Sequence, residues 1–196
     1  MTIETSSGAQ NPKISAFSIW STDDVPLPED FTQLVEAVNA GGAAYTSVDG
    51  VAYRADDYWG GRRYSNPIEI AGTDDDVLYQ SEAVNRSGFE YDIAVENGTY
   101  LIELNFAEIY HGGHFDGARV FDVLIEDELV FRDLDVFGEA GANTAFDIQR
   151  VVEVNDGSLT IGTHTLLPHD PKLSAFSIWA LEDAAPSEGD STFDFF

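Results

Sequence analysis

Apolar and polar residues alternate in short runs along most of the chain. In Phe89-Glu-Tyr-Asp-Ile-Ala-Val95 and Tyr100-Leu-Ile-Glu-Leu-Asn-Phe106, apolar side chains recur at every second position on either side of Glu96-Asn97-Gly98. A period of two places one set of side chains on one face of a pleated strand, so the pattern predicts two strands joined as a hairpin. Val120 to Ile125 and Glu128 to Phe131 flank Glu126-Asp127 in the same way; Ala52 to Arg54 follows Asp49-Gly50, and Val151 to Val154 precedes Asp156-Gly157. Asp and Gly tolerate the backbone angles of tight turns, and these pairs punctuate further strands. Helical spacing surfaces only over Thr32 to Val38, where a strand reading competes. Many short strands with regular turns predict an all-β fold, a β-sandwich of two antiparallel sheets.

One string occurs twice. Asn11-Pro-Lys-Ile-Ser-Ala-Phe-Ser-Ile-Trp20 returns as Asp170-Pro-Lys-Leu-Ser-Ala-Phe-Ser-Ile-Trp179, identical at eight of ten positions and 159 residues on. That offset is about one domain length, so the first copy reads as the closing strand of an upstream repeat. The rival reading is a strand exchanged with a neighbouring molecule. Ser21 to Asp30, with two prolines and four acids, has the composition of a linker. The expected organisation is an N-terminal segment and linker over residues 1–30, one globular unit over 31–180 and an acidic tail over 181–196.

Charge narrows the partners. The 196 residues carry 36 acidic against 9 basic side chains, a formal net charge of −27, spread along the chain. Such a surface repels itself at low ionic strength and is relieved by salt, which predicts a salt-adapted protein from a halophilic archaeon or similar source. Nucleic acid and anionic membranes need a basic face and are excluded as partners. There is no cysteine, no 18-residue apolar run, and no signal-peptide pattern in Met1 to Gln10. Asn85-Arg-Ser87 and Asn97-Gly-Thr99 fit the N-glycosylation pattern, which matters for an exported chain.

Several strings occur in a telling order: Ala37-Val-Asn-Ala-Gly-Gly42, Asp74-Asp-Asp-Val-Leu-Tyr-Gln80, Asn105-Phe-Ala-Glu-Ile-Tyr110, Arg119-Val-Phe-Asp-Val123, Asp133-Leu-Asp-Val-Phe137, Gly157 to Ile161 and Pro171-Lys172. Over roughly residues 31 to 179 the chain resembles the malectin domain. The resemblance implies a jelly-roll β-sandwich lectin without catalytic activity, whose sugar site lies on loops at one end of the sandwich. Rings there stack on sugar C–H faces and a carboxylate grips hydroxyls, a sound division of labour. The family tyrosine after Phe-Ala-Glu is Tyr110 here, and the aromatic beside it is His111. The tyrosine after Leu-Tyr-Gln corresponds to Val84. The aspartate before Asn-Pro-Lys aligns with His169, with Asp170 in the asparagine position. Tyr58, Trp59 and Tyr64, around Gly60-Gly61, offer replacement aromatics.

The expected carbohydrate-binding set is therefore Tyr58, Trp59, Tyr64, Tyr110, His111, His169 and Asp170, with no catalytic residue, metal or cofactor. Arg62 and Arg63 stand out in a chain so poor in bases and suit hydroxyls or a sugar carboxylate. His111-Gly-Gly-His114 supplies too few ligands for zinc. Asp74-Asp75-Asp76 lacks the spacing of a dedicated calcium loop and reads as a solvated acidic turn. Glu108 invites a glycosidase reading, but in the family it belongs to the framework beside the site. The expected function is a noncatalytic carbohydrate-binding module of a larger cell-surface or secreted protein, with glycan or polysaccharide as partner and no membrane insertion. The alternative is a structural or adhesive repeat that self-assembles through the Asn11–Trp20 strand.

Overall fold

The computed structural model describes residues 30–57 and 61–181. The N-terminal segment, the Asn11–Trp20 string, Tyr58, Trp59 and the acidic tail beyond Leu181 lie outside the described residues. In chain order the strands are β1 (Phe31–Asn39), β2 (Tyr45–Thr46), β3 (Ala52–Ala55), β4 (Arg62–Ser65), β5 (Ser81–Val84), β6 (Gly88–Ala94), β7 (Gly98–Ala107), β8 (Phe121–Ile125), β9 (Glu128–Leu134), β10 (Ala145–Val154), β11 (Ser158–His164), β12 (Lys172–Leu173) and β13 (Ala175–Leu181). Two helical turns, α1 (Asp76–Tyr79) and α2 (Val136–Ala140), interrupt them.

A six-stranded sheet runs β10-β7-β13-β1-β3-β2 and faces a four-stranded sheet β6-β11-β8-β9, while β12-β5-β4 form a small third sheet. The described architecture is the expected β-sandwich. Among the described strands, every pairing is antiparallel except β1 with β3. Period-two spacing explains the core: Ile102, Leu104 and Phe106 of β7 and Phe176 and Ile178 of β13 meet Phe89, Tyr91, Phe121, Val123, Ile125, Leu159 and Ile161 from the opposite sheet. Burying a side chain of this size contributes about 1.5–3 kcal/mol, enough collectively to hold the layers together. A second apolar cluster, including Ala37, Tyr53, Leu78, Tyr79, Ala107 and Ala175, covers the other face of the six-stranded sheet.

One open reading of the pattern is settled and one expectation changes. Thr32 to Val38 is strand, because β1 pairs antiparallel with β13 from Phe31↔Leu181 to Asn39↔Ala175. The strands flanking Glu96-Asn97-Gly98 are not hairpin partners: β6 pairs with β11, and β7 with β10 and β13. The turn carries the chain from one sheet to the other, and the turn at Asp156-Gly157 does the same between β10 and β11. Turn chemistry and alternation are alike for a hairpin and for a sheet crossing, so they do not separate the two. The Glu126-Asp127 turn is a true hairpin with Ile125 opposite Glu128. Both turn residues have positive φ, 53° and 58°, matching the right-handed twist of the strands.

Candidate functional site

The small sheet builds a cleft. Its registers place Arg62 opposite Val84, Tyr64 opposite Glu82, and Lys172 on the far side of Val84. Strand alternation therefore brings Arg62, Tyr64, Glu82, Val84 and Lys172 to one face. The cleft, about 260 Å³, is lined by Arg62, Arg63, Tyr64, Glu82, Val84, Tyr110, Arg119 and Asp170.

Its floor is a buried ionic cluster. Lys172 Nζ lies 3.0 Å from Glu82 and 3.3 Å from Glu108, while Arg119 lies 3.0 Å and 3.6 Å from the same two carboxylates. Lys172 also donates to the Ala107 carbonyl. The lysine side chain has no exposed surface and each glutamate only 1%. Four opposite charges at these distances offset each other's desolvation, which none could bear alone. Burial works to lower the Arg119 pKa, but Glu82 and Glu108 outweigh it and hold the guanidinium above its ordinary value.

Glu108 also fixes the wall, since its Oε1 accepts the backbone N–H of Tyr110 at 3.0 Å. Tyr110 is exposed and meets Tyr64 edge to face, with centroids 5.5 Å apart and planes at 83°. The two glycines after His111 are dictated by this packing. A Cβ on Gly112 would come within 2.4 Å of the Tyr110 ring, and one on Gly113 within 2.5 Å of the Glu108 carboxyl carbon. The His-Gly-Gly-His string is thus a 3-10 turn closed over two site residues. The rings of His111 and His114 lie 5.1 Å apart, and among the described residues no group of three or more His, Cys, Asp or Glu is placed to hold a metal ion.

At the rim, Arg62 donates to Asp170, and Arg86 Nε lies 3.9 Å from the same carboxylate. Arg63, of opposite parity on β4, turns its head to the Asp56 carbonyl. Of the expected set, Tyr64, Tyr110 and Asp170 come together in the lining. His111 is exposed at the start of the 3-10 turn and does not line the cleft. His169 does not line it either; its Nδ1 accepts the Val120 N–H at 3.0 Å. The sequence reading missed Glu82, Arg119 and Lys172. A lysine opening a strand string with no other charge, Lys172-Leu-Ser-Ala-Phe176, was the one signal of a buried cation.

A second hollow, about 380 Å³, opens on the outer face of the six-stranded sheet beside Tyr53, Tyr79, Glu103, Asn105, Asp75 and Trp179. The Tyr79 hydroxyl donates to Asp147 at 2.8 Å and accepts from Asn105 at 3.3 Å. Burial, then Asp147, raises the Glu103 pKa; burial, then Glu103, pushes Tyr53 up to about 12. The acidic triplet serves as a peg in this wall: Asp75 accepts the Tyr45 hydroxyl and the Val48 N–H, both at 2.8 Å, and Asp76 accepts the Ile70 N–H at 3.2 Å. The solvated-turn reading is corrected for these two residues, since each closes a loop that would otherwise leave donors unpaired.

Comparison with known proteins places the fold. Malectin-A of Xenopus laevis is 37% identical over 136 residues, which cover 66% of this chain and 49% of that protein. The chain thus spans about half the length of this relative. Two solved structures share the fold: Bacteroides uniformis β-glucuronidase, with a TM-score of 0.65 at 23% identity over 74% of this chain and 18% of that one, and the ANXUR2 extracellular domain of Arabidopsis thaliana, 0.66 at 16% over 77% and 49%. None of these relatives supports a halophilic archaeal source. The malectin domain model matches residues 34–176, from within β1 to within β13, so the chain belongs to the malectin domain family.

Proposed function

We propose that this chain is a noncatalytic carbohydrate-binding module that receives a glycan or polysaccharide in the cleft at the small sheet. The observation that carries the reading is the Tyr64–Tyr110 pair standing over a charged floor beside Asp170 and Arg62. Tyrosine rings offer apolar faces to sugar C–H groups, and charged side chains bond hydroxyls. Tyr58 and Trp59, outside the described residues and separated from Arg62 by Gly60-Gly61, belong to the proposed stacking set on sequence grounds, as do His111 beside Tyr110 and His169 beside Asp170. Catalysis is not part of the proposal. Both buried carboxylates are engaged by Arg119 and Lys172, so neither is free to hand a proton to a leaving group. The likeness to an extracellular receptor domain supports display outside the cell within a larger secreted or cell-surface protein.

The test is a glycan and polysaccharide array followed by titration calorimetry. Tyr110→Ala and Trp59→Ala each weaken binding by about 1 kcal/mol or more where the rings stack on sugar. Unchanged affinity in both variants removes the proposed site.

A second reading, assembly through strands, is favoured by the near-copy of residues 170–179 at 11–20. In the sheet, β13 lies between β7 and β1, so a copy would have to replace a central strand rather than add to an edge. Light scattering on the full chain and on Phe17→Asp decides: an oligomer lost in the variant supports assembly, and a monomer in both ends that reading.

A further inference from the structure

We infer that the cleft selects an anionic saccharide, one carrying a carboxylate or sulfate ester, and that the rim arginines receive that group. The inference rests on the glycan-binding reading above and specifies its ligand class. The chain has 9 basic residues, and four of them, Arg62, Arg86, Arg119 and Lys172, converge on this cleft and its Asp170, with Arg63 in the lining as a fifth.

Their accounts differ by depth. In the floor, Arg119 and Lys172 face Glu82 and Glu108, two charges against two, all but Arg119 essentially without solvent exposure. At the rim, among the described residues, Arg62 and Arg86 pair with Asp170 alone, two positive charges against one. The arginines are 65% and 80% exposed and the aspartate 29%. A surplus positive charge at the mouth therefore stands in a molecule of net charge −27. A neutral sugar needs no such surplus, since carboxylates and amides serve hydroxyls as well as guanidinium does. A guanidinium carries five N–H donors in a planar fork, and Arg62 spends one terminal nitrogen on Asp170. The geometry of the fork matches two oxygens of a carboxylate or sulfate. The Tyr64–Tyr110 pair then holds the ring that bears the anion, and the acidic remainder of the surface repels the same polymer everywhere else.

The experiment titrates the full chain, at one fixed ionic strength, with four probes: oligogalacturonate and its methyl ester, and a sulfated galactan oligosaccharide and its desulfated form. The expected result is that one charged form binds about tenfold or more tighter than its neutral partner, the scale of a charge-assisted hydrogen-bond pair. The pair that discriminates names the anion. Arg62→Gln with Arg86→Gln brings the charged-to-neutral ratio close to one, while Arg132→Gln, an exposed arginine on β9, leaves the ratio unchanged. Neutral forms binding as tightly as charged ones overturn the inference and leave glycan binding standing. No binding of these probes or of any neutral glycan on the array, by a chain that still melts cooperatively, overturns both.

Discussion

The cleft and the outer hollow are both lined by buried polar groups, and they treat acid in opposite ways. In the cleft, Glu82 and Glu108 are matched by Arg119 and Lys172 within 3.6 Å. In the hollow, Glu103 has Asp147 nearby, and its pKa rises through burial and that neighbouring charge. The hollow relies on neutral donors instead: the Tyr79 hydroxyl and the Asn105 amide both reach Asp147, at 2.8 and 3.0 Å. A chain with 36 acids and 9 bases cannot neutralise every buried carboxylate. The contrast shows where it concentrates its cations, which is where the proposed ligand arrives.

The largest break in this contrast comes from Lys172→Met. It strands two buried carboxylates beside one arginine and is expected to cost about 3–5 kcal/mol in urea unfolding. A loss below about 1 kcal/mol would show that the floor does not depend on charge matching. Tyr79→Phe probes the hollow more gently, removing one donor from Asp147, and should cost about 1 kcal/mol by the same measurement. Glu103→Gln acts in the other direction. With its native pKa above the ordinary 4.5, the parent loses stability as pH rises from that value through the native one, because the folded state binds the proton more tightly. The variant should match the parent in acid and exceed its melting temperature at neutral pH; a variant that melts lower at neutral pH contradicts the like-charge reading.

Salt gives the finest discrimination. Molar salt should raise the parent's melting temperature, as expected for so acidic a surface, and should shrink the gain from Glu103→Gln while leaving the cost of Lys172→Met nearly intact. Equal shrinkage of both effects would mean that the two regions are equally open to ions.

The strands were legible because alternation reports a buried face, and it did so in β6 and β8, whereas β7 is buried on both faces and β9 does not alternate strictly. Sheet partners were not, as β6 and β7 illustrate, because pairing is settled by contacts far along the chain. In the site, Tyr64, Tyr110 and Asp170 were recoverable from family strings and loop aromatics. Glu82 and Lys172 were hidden, since isolated charges are ordinarily solvated and only the registers of β4, β5 and β12 reveal that these two face each other indoors. His169 differs again: the family strings place it beside Asp170, while its ring nitrogen accepts the Val120 backbone N–H, a contact no sequence pattern announces.

The place of β13 bears on how the domain is made. This strand sits between β7 and β1 in the middle of the six-stranded sheet, yet it is the last strand of the described domain. Synthesis runs from the N-terminus at about 5–20 residues per second, so β1 and β7 emerge long before the strand that joins them. Until Ala175–Leu181 leaves the ribosome, both expose unpaired edges and the apolar side chains that Phe176 and Ile178 will later cover. A nascent chain that had already paired β1 with β3 and β7 with β10 would hold an open slot between them, ready for whichever matching strand arrives first.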